Sequence, residues 1–135
     1  MEIQVSIHEA NEPVAVMNIK GNVDAANYVE VVNKAQEIYN NPVRNLILDL
    51  SEVPYISSAG LVAIHKIALI YSGGKQEVEQ EGKETRPDFT HHANARKRVK
   101  LLNPQPDVDR TLETTGLKLF FKVYKDLDSA LKSFQ

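Results

Sequence analysis

The chain has 135 residues, with 16 lysines and arginines against 18 aspartates and glutamates, for a formal charge of −2. That length suits one domain with its own hydrophobic core, and the near-neutral balance argues against a dedicated nucleic-acid binder, which carries a strong positive charge. Zero cysteines exclude disulfides, thiolate zinc sites, iron–sulfur ligation and a cysteine nucleophile.

In chain order, Met1, Ile3, Val5 and Ile7 alternate with polar residues, which predicts a strand with one wet face. No basic segment precedes an apolar one there, so no signal peptide is expected, and the expected compartment is the cytoplasm. Asn11-Glu12-Pro13 reads as a turn, and Val14 to Ile19 as a second strand antiparallel to the first. Gly21-Asn22 ends it. Asp24 stands where a helix N-cap is expected, followed by Tyr28, Val31, Val32, Ala35 and Ile38 at helical spacing. Asn40-Asn41-Pro42 closes that helix.

Leu46 to Leu50 is a short apolar run with little alternation, the pattern of a strand covered on both faces. After Ser51 to Ile56 come Ser57-Ser58-Ala59-Gly60 and a second helix, Leu61 to Tyr71, apolar nearly all round and so expected to be buried. This longest apolar run is interrupted by His65 and Lys66 and is far short of the ~20 residues that span a bilayer, so no membrane insertion is expected. Gly73-Gly74 is the expected stop. Segment 73–96 differs from the rest: of its 24 residues only Val78, Phe89, Ala93 and Ala95 are apolar and nine are charged, which predicts a polar insertion, either a mobile loop or an extension of the helix. Val99 to Leu102 reads as a fourth strand. Pro106-Asp107 starts a short helix through Val108 and Leu112 that Gly116 ends. Leu119, Phe121 and Val123 read as a fifth strand. Asp126 caps a last helix with Leu127, Ala130, Leu131 and Phe134 on one side. The order ββαβαβαβα predicts a single α/β (α+β) domain over 1–135, a mixed sheet of about five strands with about four helices.

The informative stretch runs from Asp49 to Leu61, where a buried strand leads through a short loop into a helix whose first residues are small and hydroxylic. Ser57 or Ser58 serves as N-cap, satisfying amides that have no partner inside the helix. Gly60 implies something packed closely against that turn. A hydroxyl at a helix N-terminus is also a good phosphate site, because free amides and the positive dipole end tolerate an added charge of about −1.5 to −2.

Four motifs in order resemble the STAS domain, the family of bacterial anti-sigma factor antagonists. Gly21-Asn22-Val23-Asp24 is similar to the family's Gly-x-Leu-Asp before its first helix, and Leu46 to Leu50 with Ser51 and Val53 to its central strand and continuation. Ile56-Ser57-Ser58-Ala59-Gly60-Leu61 resembles its Met/Ile-Asp-Ser-Ser/Thr-Gly-Leu signature, and Thr115-Gly116-Leu117 its Ser-Gly-Leu before the last strand. The resemblance covers roughly residues 3–72 and 98–134. It places Ser58 on the serine that the family phosphorylates, with Ser57 as runner-up acceptor where the family usually carries Asp, and Ala59 where it carries a second Ser or Thr. Asp24 falls by resemblance beside that serine, on the surface that meets the kinase.

The resemblance implies a phosphorylation-controlled interaction switch: unphosphorylated, the surface of Asp24, Ser57, Ser58, Ala59, Gly60 and Leu61 binds an anti-sigma factor that is also a serine kinase, releasing a sigma factor. A PP2C-like phosphatase resets it, a homodimer is possible, and no cofactor, metal, catalytic residue or direct nucleic-acid contact is implied, so Ser58 is a substrate rather than a nucleophile. The alternative keeps the fold as a ligand-binding or scaffold module of a stress-signalling or lipid-transport complex. Serine hydrolase chemistry fits poorly, since Ile-Ser-Ser-Ala-Gly is not a Gly-x-Ser-x-Gly elbow and His65 reads as the polar face of its helix. The pair His91-His92, the basic run Arg96-Lys97-Arg98 with Lys100, and the acidic run Glu77, Glu79, Glu81 and Glu84 read as solvated.

Overall fold

Five strands lie side by side in chain order: β1 (Glu2–His8), β2 (Val14–Lys20), β3 (Asn45–Glu52), β4 (Val99–Leu102) and β5 (Lys122–Tyr124). They come from a computed structural model that describes residues 1–9, 11–72 and 96–134. β1 is antiparallel to β2 over seven consecutive pairs, from Glu2 opposite Lys20 to His8 opposite Val14. The remaining pairs are parallel. A hairpin needs only the Asn11–Pro13 turn, whereas each parallel pair needs a crossover. Between β2 and β3 this is α1 (Tyr28–Asn40), and α2 (Ser58–Tyr71) follows β3. Between β4 and β5 it is α3 (Pro106–Thr114) with a 3₁₀ turn, Leu117–Leu119; α4 (Leu127–Lys132) follows β5.

Strand periodicity sorts the core into two layers. Ala15, Met17 and Ile19, Leu46, Leu48 and Leu50, and Val99 and Leu101 point to one face. There they meet Val31, Ala35 and Ile38 of α1, Ile64 and Ile67 of α2, and Val108 and Leu112 of α3. Each of the valine, leucine, isoleucine and methionine side chains among them, fully buried, contributes roughly 1.5–3 kcal/mol of transfer free energy. Val14, Val16, Ile47 and Leu102 point to the other face, covered by Ala130 with Leu127, Leu131 and Phe134. β3 is thus covered on both sides, as its unbroken apolar run predicted. At the far edge β1 is not: Ile3 packs on the core, but Val5 and Ile7, expected on the dry face, are 38% and 50% exposed.

Near their C-terminal ends α1 and α2 are fastened by Tyr71. Its hydroxyl donates to the Ala35 carbonyl at 2.8 Å, and its ring meets Tyr39 edge-on at 5.0 Å, with the Arg44 guanidinium 3.8 Å over Tyr39. Burial, with Tyr39 beside it, pushes the Tyr71 hydroxyl above the ordinary tyrosine range.

Three expectations are corrected. Asp24 does not cap α1. The N-cap is Asn27, and Asp24 instead opens a turn ahead of the helix, its carboxylate accepting from Ala26 N and its carbonyl from Asn27 N and Tyr28 N. The fifth strand does not begin at Leu119. Gly116, in the left-handed region (φ +82°), ends α3 as expected but leads into the 3₁₀ turn, so Leu119 is 74% exposed and pairing starts only at Lys122. Nor is the basic run simply solvated. Arg98 donates to Glu12 Oε1 (3.1 Å) and Asn45 Oδ1 (2.9 Å), while Lys100 is buried and donates to the Arg96 carbonyl at 2.8 Å. Burial, with Lys122 and Arg96 nearby, holds the Lys100 ammonium below its ordinary range. The Gly73-Gly74 stop, the acidic run, His91-His92 and nearly all of the polar insertion lie outside the described residues. α2 itself ends at Tyr71 with Ser72 as C-cap.

Candidate functional site

Two loops leave the carboxyl ends of the neighbouring parallel strands β2 and β3. A single parallel bridge, Val23 to Ile56, joins them, with Val23 N donating to the Tyr55 carbonyl (3.1 Å) and Ser57 N to the Val23 carbonyl (2.9 Å). Gly21, at φ +105°, makes the reversal out of β2, and its N–H donates to the Glu52 carbonyl at 2.9 Å. The residues that follow are Asp24 in one loop and Ser57-Ser58 in the other. Long-range pairing therefore brings together residues separated by more than thirty positions in the chain.

The start of α2 divides its two serines. Ser57 has extended backbone (φ −87°, ψ 179°), and its Oγ accepts from Gly60 N at 3.2 Å, so it is the N-cap. Ser58 is the first helical residue and is exposed. The amides of a first turn have no carbonyl partner within the helix, so Ser58 carries its hydroxyl at the positive end of a fourteen-residue helix. Gly60 is buried against the loop that precedes α1. A Cβ built there would stand 2.8 Å from the Val23 carbonyl oxygen, the same oxygen that accepts from Ser57 N. The close packing that Gly60 implied is the β2–α1 loop itself.

Around this turn Ala59 and Leu61 are half-buried, Leu61 packing on the core. The carboxylate of Asp24 is held by Ala26 N (3.0 Å), and the Asn27 side chain bends back to join Asp24 N (2.9 Å) and the Asn22 carbonyl (3.0 Å). Sequence reasoning did not single out Tyr55 and Val62, which are 55% and 46% exposed, one in the approach to Ser58 and the other a helical turn beyond it. The only signal was their position beside the serine pair, because an apolar residue in an apolar helix reads as core. Among the described residues no group of three or more His, Asp or Glu is arranged to hold a metal ion. No described helix is long and apolar enough to cross a membrane. His65 is exposed on α2, on its polar side as expected.

A sheet with an antiparallel first hairpin, crossover helices on one face and a serine-led helix locked to the preceding loop defines a class of α/β domain. The chain belongs to the STAS domain family, whose model matches residues 5–75, more than half of the sequence. No curated protein matches it. Among solved structures it is similar to an anti-sigma factor antagonist from Mycobacterium paratuberculosis, at 22% identity and a TM-score of 0.66, covering 98% of this chain and 94% of that one. A putative anti-sigma factor antagonist from Thermotoga maritima matches at 20% identity and a TM-score of 0.70, covering 96% and 93%. The Bacillus cell fate determinant SpoIIAA in its phosphorylated form matches at 14% identity and a TM-score of 0.61, covering 98% of this chain and 100% of that one. At these identities the likeness is one of fold.

Proposed function

We propose that this STAS domain is a cytoplasmic anti-sigma factor antagonist, a bacterial regulator of transcription switched by phosphorylation of Ser58. Unphosphorylated, it binds an anti-sigma factor that is also a serine kinase and so releases a sigma factor; a PP2C-like phosphatase restores the binding form. The domain catalyses nothing, and Ser58 is the kinase's substrate. The observation that carries this reading is the division of labour at the start of α2. Ser57 is committed to the Gly60 amide while Ser58 stands exposed one residue on. A phosphate on Ser58 would sit at the positive end of the helix without removing its cap, so the fold survives modification while the local charge changes by about −1.5 to −2. Placed in a protein interface, that charge would need desolvation, and Asp24 in the adjoining loop would repel it.

The binding surface proposed is Asp24, Ser57, Ser58, Ala59 and Leu61, with Tyr55 and Val62 as exposed apolar contacts and Gly60 beneath them allowing the close approach. The test is incubation with the cognate kinase and ATP, read by intact mass. One phosphate is expected on the wild type, none on Ser58→Ala, and one on Ser57→Ala. Labelling that persists in Ser58→Ala moves the acceptor elsewhere. Absence of labelling in the wild type favours the module reading, to which Ser57 in place of the family's usual Asp lends some support.

A further inference from the structure

The sheet ends in two unlike edges. β5 is three residues long, and it borders a hollow of about 430 Å³ rimmed by Arg96, Lys118, Lys122 and Lys125. Short length and clustered lysines are the usual means of keeping a strand edge from pairing with another chain. β1 has neither. It runs seven residues, Glu2–His8, pairs with β2 without a bulge, and contains no Lys, Arg, Pro or Gly. Its apolar side chains Val5 and Ile7 stand exposed over a groove of about 240 Å³ shared with Ile38 and Val43 and edged by Lys34 and Glu37. Among the described residues nothing pairs with its outer side.

We infer that the β1 edge is a homodimer seam, in which β1 of a second copy pairs antiparallel with it to make one continuous ten-stranded sheet. The occupant is argued from the strand's own sequence. About a two-fold axis normal to the sheet, residues facing each other must lie on the same face, so their numbers must add to an even sum. Of these registers, the one centred on Val5 uses all seven residues. It sets Val5 against Val5, Ile3 against Ile7, Gln4 against Ser6 and Glu2 against His8. The apolar pairs then lie on the helix-covered face and extend the core across the seam. On the other face a carboxylate meets an imidazole twice, once at each end. A β5–β5 seam would instead bring lysines together.

Two consequences separate this inference from the switch proposed above. The seam contains none of Asp24, Ser57 and Ser58, and because the two β1 strands run antiparallel, the two Ser58 sites point to opposite ends of the joined sheet. Dimerisation is therefore independent of phosphorylation and stands or falls on its own.

The absence of cysteine in the chain makes the register directly testable. Val5→Cys, at the two-fold axis, is expected to form a disulfide-linked dimer under mild oxidation. Ser6→Cys, which faces Gln4, and Lys122→Cys, on the opposite edge, are expected to do so at least several-fold more slowly. In sedimentation velocity at tens of micromolar the full chain is expected to run as a dimer, and Val5→Lys, which sets two ammonium groups face to face, as a monomer with an unchanged far-ultraviolet circular dichroism spectrum. Glu2→Lys should weaken the dimer roughly tenfold, since two favourable pairs of a few tenths to ~1 kcal/mol each are lost, and the exchange Glu2→Lys with His8→Glu should restore it. A wild-type chain that sediments as a 15.1 kDa monomer overturns the inference. So does a dimer indifferent to Val5→Lys, or equal crosslinking at Val5, Ser6 and Lys122.

Discussion

The two helices that enter the site begin in opposite ways. At α1 the polar side chains are turned back into the loop: Asn27 binds Asp24 N and the Asn22 carbonyl, Asp24 binds Ala26 N, and no side chain caps the helix. At α2 one serine caps and the next is left outside. The β2–α1 loop is thus held by its own hydrogen bonds, and the start of α2 is laid against it. The contrast leaves one exposed hydroxyl at the head of α2 that makes no cap, beside a loop whose polar groups are already paired.

The sharpest way to break this arrangement is Gly60→Ala. Alanine gains about 1 kcal/mol of helix propensity, but its methyl would meet the Val23 carbonyl at 2.8 Å, an oxygen held by Ser57 N within the bridge that joins the two loops. The clash outweighs the propensity, and a net loss of about 2–3 kcal/mol is expected in urea unfolding, visible as a lower midpoint at constant slope. Asn27→Ala removes two part-buried or exposed hydrogen bonds and should cost about 1–2 kcal/mol by the same measurement. At α2 the two serines should separate. Ser57→Ala loses the cap, about 1 kcal/mol, whereas Ser58→Ala should change stability by less than ~0.5 kcal/mol while abolishing phosphate uptake. Equal stability losses for the two serines would show that Ser58 also has a structural duty.

Far from the site, Tyr71 joins the same two helices, and its effect is read in pH. Its folded-state value is raised above the ordinary 10.0, so the native state holds the proton more tightly than the unfolded chain. That contribution is fully present below about pH 10 and is lost as pH rises through the folded value. The stability difference between wild type and Tyr71→Phe should therefore hold steady up to about pH 10 and shrink progressively above it in alkaline unfolding monitored by circular dichroism. A difference that stays constant above that pH would mean that the hydroxyl ionises as freely as in the unfolded chain.

Much of the fold is legible in local pattern. The unbroken run of β3 and the nearly all-apolar α2 match the cover each receives, because an element packed on most of its surface selects apolar side chains at most positions. The errors came where local chemistry admits two structures. Asp24 precedes a helical pattern and could cap it, but a turn fits between it and Asn27, and only the bonds from Asn27 show which residue opens the helix. Leu119, Phe121 and Val123 alternate like a strand, yet Gly116 at positive φ sets up a 3₁₀ turn, leaving Leu119 exposed and Phe121 buried. Lys100 lies in a basic run that reads as solvated; it is buried beside Phe134, thirty-four positions away, whose ring lies 5.2 Å from its ammonium.

By itself, then, the amino-acid sequence determined the class of domain, the ordering of strands and helices, and the pair of serines at the head of α2, because these rest on contacts within one element or between adjacent ones. Tertiary structure alone decided which serine caps and which is exposed, why Gly60 has no side chain, and that β1 keeps an open apolar edge. Each of those depends on what a distant segment places against the residue: the Val23 carbonyl over Gly60, the bridge that aligns the two loops, and the end of the sheet beyond β1. Such contacts leave little trace in local periodicity, since the same glycine, serine or valine suits either environment until the chain has folded around it.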